Sequence, residues 1–261
     1  MTYNYLIQPD GSCSFPEGET TIPTGAFAGC NELKRIIIPA SVRQICSYAF
    51  LGCAKLMQIE NACGVKEIAE DAFGACSSLK DVQLPEGLEK IDDEAFSECS
   101  SLKKILLPKS LKHLGVFVFS NCSRLEEVVI PYGVKKIGDG VFYRCYALRN
   151  VVIPDSVCEI GEAAFARCKR LVNLKIPQGV EVIGIEAFRY SGLKTVNIPT
   201  SMNKIWDYAF ADCASLTEID IPENVTKISR TAFQGSGLKE PCLVRNVTVC
   251  GEVAFEKPEQ Q

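Results

Sequence analysis

The stretch Leu102-Lys103-Lys104-Ile105-Leu106-Leu107-Pro108 decides how the chain is read. Ile105 and Leu107 stand two apart and share one face, the period of a short strand. Pro108 has no N–H to give to a ladder and ends that strand. Leu111 and Leu114 then turn inward again, and Val118-Phe119 fills the far side. The same succession recurs along the chain, for example in Val151-Val152-Ile153-Pro154.

The register is strict. Phe27, Phe50, Phe73, Phe96, Phe119, Phe142, Phe165, Phe188, Phe210, Phe233 and Phe255 are separated by 22 or 23 residues. Three residues after Phe comes Cys30, Cys53, Cys76, Cys99, Cys122, Cys145, Cys168 or Cys213. A leucine follows, from Leu33 to Leu238. One such unit points about eight side chains inward, too few to bury themselves, so units must stack. Stacked strands about 4.8 Å apart give a rod on the order of 50 Å long. The expected fold is therefore a right-handed solenoid of about ten 22–23-residue coils. A parallel β-sheet lines its concave face, with irregular turns and short helical turns elsewhere.

The pattern A-F-x-x-C-x-x-L-x-x-[IV]-x-[IL]-P-x-x-[VL]-x-x-I resembles the BspA-type leucine-rich repeat, over roughly residues 23 to 255. The resemblance is specific for architecture. It implies a leucine-rich-repeat solenoid of a family that is mostly bacterial, with some members in protozoan parasites. It also implies a cell-surface or secreted setting and a link to adhesion. The residues Met1-Thr2-Tyr3-Asn4-Tyr5-Leu6-Ile7-Gln8-Pro9 depart from surface members, with no positive n-region or long apolar core. A cytoplasmic location is the alternative.

Residues 1–22 read as an N-terminal cap, 23–241 as the repeats, and 242–261 as a degenerate C-terminal repeat and tail. Coil eight runs Tyr190-Ser191-Gly192-Leu193 and coil ten Gly235-Ser236-Gly237-Leu238, each one residue short, with Ser in the Cys slot. Pro241 takes an inward strand position and should blunt the last sheet edge.

Composition narrows the function classes. The 261 residues carry a net charge of -4 and no basic run with interleaved aromatics, so nucleic acid is not an expected partner. No stretch approaches the roughly 18 to 20 apolar residues of a membrane span. A monomer that binds a protein partner is expected.

Fourteen cysteines raise disulfide and metal readings. Ladder cysteines one coil apart hold their Cβ atoms about 4.8 Å apart on parallel vectors, whereas a disulfide needs roughly 3.5 to 4.5 Å and convergence. No C-x-x-C pair exists for zinc. The slot reads as a small buried hydrophobe with a weak S–H donor. Cys242 and Cys250 are left open as a pair in the C-terminal cap. His113 is the only histidine, and it falls at an outward flank position shared with Lys90, Lys136, Glu159 and Lys204. Asp92-Asp93-Glu94, the densest acidic cluster, occupies a turn that turn chemistry explains. Gly138-Asp139-Gly140 falls in the same turn and is no phosphate loop. Asn224-Val225-Thr226 and Asn246-Val247-Thr248 fit a short, common glycosylation pattern. No catalytic residue, metal site or cofactor is expected.

What remains is the concave sheet. Its first outward row runs Arg35, Gln58, Asp81, Lys104, Glu127, Asn150, Asn173, Thr195, Glu218 and Glu240. Its second runs Ile37, Glu60, Gln83, Leu106, Val129, Val152, Lys175, Asn197, Asp220 and Cys242. Leu106, Val129 and Val152 make an apolar stripe with Lys104, Glu127 and Asn150 beside it, the pattern of a binding patch. The candidate site is these six residues, in a non-catalytic protein-binding module. The alternatives are a spacer or stalk within a larger surface protein and, third, a carbohydrate-binding or hydrolytic protein. The rows hold no aromatic residue for a sugar; Tyr143, Tyr146, Trp206 and Tyr208 fall in turns.

Overall fold

A computed structural model describes residues 6–60 and 62–238, together with the backbone of 248–250. The repeat stacks as a parallel solenoid of about nine coils. The tenth expected coil opens at Leu238, and its strand residues lie outside the described ones, as do Glu240, Pro241, Cys242 and Phe255. The Cys242–Cys250 pairing and the Asn246 glycosylation pattern also fall there.

Two strand ladders run along the rod. The three-residue strands form blocks: Ser12–Ser14 with Arg35–Ile37 and Gln58–Glu60, then Asp81–Gln83 through Asn150–Val152, then Thr195–Asn197 with Glu218–Asp220. Their middle residues point inward, with Ile36, Val82, Ile105, Val128 and Val196 all buried. Asn173 and Lys175, expected on a strand, sit in a segment that pairs with neither neighbour. The Lys194 N–H still reaches the Val172 carbonyl at 3.1 Å, so the segment stays aligned with the next coil without pairing as a strand.

The second ladder was not anticipated. Short strands such as Gln44–Ile45, Glu67–Ile68, Lys90–Ile91 and His113–Leu114 pair in register, five in the first block from Thr21–Ile22 onward. Each contributes one buried aliphatic residue and one outward polar one. It breaks before Lys136–Ile137 and again before Lys204–Ile205.

The far side of each coil corrects the expectation of short helical turns: no helix is present among the described residues. Instead, positive φ recurs two residues before and two after the repeat phenylalanine. Glu94 and Glu98 flank Phe96 with φ of 56° and 60°. Among the described residues, fourteen that are not glycine adopt this left-handed conformation, which L side chains ordinarily disfavour by about 1–2 kcal/mol each. The compensation is visible in the hydrogen bonds. The N–H groups of Glu94, Phe96 and Glu98 donate to the Val116, Val118 and Ser120 carbonyls of the next coil. The intervening N–H groups of Ala95, Ser97 and Cys99 turn back to Asp92, Glu94 and Phe96. Left-handed residues are thus what aim alternate amides at the neighbouring coil. A helix would have used those donors internally.

The core is a column of phenylalanines. From Phe27 to Phe233 each ring stacks on the next, with centroids 5.0 to 5.8 Å apart and planes within 19°. Beside it runs the cysteine column. The thiols of Cys53, Cys76, Cys99, Cys122, Cys145 and Cys168 each donate to the carbonyl of the phenylalanine one coil back, at 3.0 to 3.3 Å. Cys213 does the same toward Phe188. No disulfide forms among the described cysteines. Cys30 is only half-buried, unlike the other ladder cysteines, because no earlier repeat phenylalanine precedes it.

Candidate binding surface

Every described position of the two outward rows is exposed or half-exposed, as the strand period requires. The central positions stand out chemically. Leu106 is 76% exposed, Val129 58% and Val152 56%. Their strands fix the spacing: Val129 lies opposite Val152, and Glu127 lies opposite both Lys104 and Asn150. Neighbouring strands hold facing side chains about 4.5–5.5 Å apart, so the three apolar residues form one stripe.

The first row flanks the stripe with charge. Lys104 Nζ lies 2.9 Å from Glu127 Oε1. That hydrogen bond holds the Glu127 carboxyl below the usual carboxylate range and raises the Lys104 ammonium. Both groups are open to water, so the pair orders the row and adds little stability. Arg149 Nη2 pairs similarly with Glu126 Oε2 at 2.6 Å. Together the structure places all six candidate residues, Lys104, Leu106, Glu127, Val129, Asn150 and Val152, on three adjacent strands.

Sequence reasoning missed what lies next to them. Where the sheet lapses beyond Asn150–Val152, a groove of about 480 Å³ opens, lined by Arg149, Asn150, Val151, Val152, Arg170, Val172 and Asn173. Val151 is only half-buried there, while its equivalents Val128 and Ile105 are buried. The one local signal is Val172, an apolar residue in a slot after the leucine that, Met57 apart, is Lys, Glu, Arg or Thr in the other described coils.

His113 sits outward on the second ladder, its Nε2 3.6 Å from Asp92 Oδ1. Asp92 also takes Lys90 Nζ at 2.8 Å, and Asp93 Oδ1 accepts the Val116 N–H at 2.8 Å. Among the described residues, no group of three or more His, Cys, Asp or Glu side chains could hold a metal ion. Among the described residues there is no helix long and apolar enough to cross a membrane. Trp206 and Tyr208 lie in turns beneath cations: Lys204 Nζ sits 3.3 Å from the Trp206 ring centre and the Arg189 guanidinium 4.9 Å from that of Tyr208. Asn224 Nδ2 donates to the Thr200 carbonyl at 2.8 Å and to that of Met202.

A T. pallidum leucine-rich-repeat protein of known crystal structure is 32% identical, with a TM-score of 0.59 over 66% of this chain and 89% of that one. The pneumococcal vaccine antigen PcpA is 21% identical, with a TM-score of 0.52 over 87% of this chain and 61% of that one. A leucine-rich cell surface protein of Faecalibacterium prausnitzii is 22% identical, with a TM-score of 0.43 over 99% and 94%. No curated protein matches the chain. The BspA type leucine-rich repeat region, in six copies, matches residues 20–149 and 135–260. Matched over nearly all its length and coiled as that repeat requires, the chain belongs to the BspA-type leucine-rich-repeat family.

Proposed function

We propose that the protein is a non-catalytic binding module whose partner is a protein, docked on the middle of the sheet of three-residue strands. The observation that carries the reading is the exposed stripe Leu106, Val129 and Val152, bordered by Lys104, Glu127 and Asn150. An apolar centre with a polar rim is the composition of a protein interface. The sheet presents it ready-made, so a partner meets side chains that need little further ordering. Family membership supports an adhesion role at a cell surface, with the chain acting as a monomer.

The test is capture. The immobilised chain is presented with extracellular-matrix proteins and with surface extracts of the source cells. Leu106, Val129 and Val152 are replaced together by Ser, and Lys90, Lys136 and Lys204 together by Ser as the flank control. Circular dichroism should report the same fold for both, because the first three point away from the core, Lys90 and Lys136 make surface ion pairs and Lys204 lies over the exposed Trp206 ring. Partner capture should fall in the first variant and persist in the second. The reverse result places the interface on the other side of the solenoid.

A further inference from the structure

We infer that the groove beyond Asn150–Val152 takes an extended, carboxylate-bearing segment of the partner polypeptide, anchored by Arg170. The inference rests on the reading of the strand face as the interface, and it names the chemistry that the face selects.

Three observations converge on that occupant. First, the groove is the place where the three-residue ladder stops. Asn150–Val152 pairs with Glu127–Val129 on one side and with no strand on the other. An unpaired strand edge is a template for an extended peptide, through main-chain hydrogen bonds. Asn150 and Asn173, both exposed, add amide donors and acceptors across the gap.

Second, the lining has one sign of charge. It holds two guanidinium groups and no carboxylate, in a chain whose net charge is -4. Arg149 is already neutralised by Glu126. Arg170 is exposed and has no ion pair among the described residues. Its fork of donors matches a carboxylate bidentately. The cationic character continues onto the adjoining turn, where Lys169 Nζ lies over the Tyr146 ring at 5.7 Å.

Third, the remaining lining is apolar. Val151, Val152 and Val172 face the groove, and Val152 is also the end of the exposed stripe. Groove and stripe are therefore one surface. A single uncompensated guanidinium beside three valines suits a carboxylate next to an apolar side chain, and is poorly matched to a dense polyanion.

The test uses the full chain and three fluorescently labelled peptides of about ten residues, alternating valine with glutamate, glutamine or lysine, read by anisotropy. The glutamate peptide should bind about tenfold or more tighter than the other two, and should weaken about tenfold between roughly 50 and 300 mM salt. R170E should weaken it by about tenfold or more, while K204E, on the second ladder, should leave it unchanged. Equal binding of the glutamate and glutamine peptides overturns the assignment. So does an unchanged R170E, or no binding of the glutamate peptide at about 1 mM. A sulfated oligosaccharide that binds tighter than the glutamate peptide and is lost in R170E overturns the polypeptide as occupant. A double Ser variant at Leu106 and Val129, which leaves Val152 of the groove lining in place, separates the two readings. Loss there with R170E unaffected keeps the strand face and removes the groove. Loss in R170E with the double variant unaffected keeps the groove and removes the strand face.

Discussion

The thiol of Cys122 donates to the carbonyl of Phe96, one coil back, across 3.2 Å. The same carbonyl takes the N–H of Cys99 from its own coil at 3.3 Å. One acceptor thus ties a turn closed and joins it to its neighbour, and the tie repeats along the rod.

This geometry orders two substitutions. Cys122→Ala leaves the Phe96 carbonyl bonded to Cys99 and removes one buried sulfur, an effect of about 1–2 kcal/mol. Cys122→Ser puts a hydroxyl on a shorter bond into the same dry slot. Of the two serines in the equivalent position, the Ser236 hydroxyl has no hydrogen-bond partner, while Ser191 Oγ finds only the weak partner Cys213 Sγ at 3.3 Å. An unsatisfied buried hydroxyl costs about 1–3 kcal/mol, so Ser should destabilise more than Ala. Urea melts of both variants check the order, and a Ser variant as stable as wild type would show that the slot accepts a hydroxyl.

Thiol reactivity should fall into two classes. Burial pushes the Cys53 thiol up to about 12 and Cys213 up to about 11, and raises Cys76, Cys99 and Cys145 well above the ordinary thiol value. Cys63 and Cys158 are exposed. At pH 8 without reductant, Ellman's reagent should modify those two readily. The seven from Cys53 to Cys213 in the buried column should respond only after unfolding. Rapid native modification of Cys99 or Cys122, located by mass spectrometry, would contradict the packing.

Phe119 sits between Phe96 and Phe142, 5.8 Å from each, with no exposed surface. Phe119→Ala should cost roughly 3 to 5 kcal/mol, because neighbouring rings held in register cannot collapse into the space. A loss below about 1 kcal/mol in denaturant melts would sink the idea of a continuous buried spine.

Asp71 gives a pH signature. Burial, then the charges of Glu94, Glu70 and Glu98, push its carboxyl up to about 6 from an ordinary 3.8. A folded-state value above the unfolded one means that the native state holds the proton more tightly. Its stabilising contribution is therefore complete below pH 3.8 and is lost as pH rises through 6. Asp71→Asn removes the titration and keeps a residue that tolerates the φ of 52° found there. Between pH 4 and 7 the melting temperature of wild type should fall relative to that of D71N. A constant difference across that range would show that Asp71 does not titrate there.

The regular part of this fold was legible in the sequence for a simple reason. Phenylalanine, cysteine and leucine fall in fixed slots because each must stack on its own kind one coil away. The second ladder was not legible: a strand such as Lys90–Ile91 has two residues and one apolar side chain, below any alternation signal. The left-handed positions were hidden as well. Glycine fills only five of their slots, at Gly25, Gly29, Gly52, Gly140 and Gly235, while Tyr48, Arg144 and Glu186 fill others. Hydrogen bonds between coils impose that conformation, and residue preference does not reveal it. The stripe Leu106, Val129 and Val152 followed from strand period alone. The groove did not, since Asn173-Leu174-Lys175 alternates like its neighbours and differs only in what it fails to pair with.

The ladder breaks are staggered along most of the rod, so that where one strand ladder lapses the other continues. Beyond Asn150–Val152, for example, Glu159–Ile160 still pairs with Val182–Ile183. They coincide once, at the short turn Tyr190-Ser191-Gly192, where neither 173–175 nor Val182–Ile183 pairs with the next coil. There the connection is carried by Phe188 stacked on Phe210, by the N–H groups of Glu186, Phe188 and Tyr190 donating to the Asp207, Ala209 and Ala211 carbonyls, by the Lys194 N–H donating to the Val172 carbonyl, by Arg189 Nε to Asp212 Oδ2 at 3.1 Å, and by Gln178 Oε1 accepting the Thr200 N–H at 3.0 Å. A tensile load along the axis has to cross this joint on side chains and turn amides, without strand pairing to share it. A tethered molecule pulled from its ends should yield here first, as two stiff segments parting at a seam near Gly192.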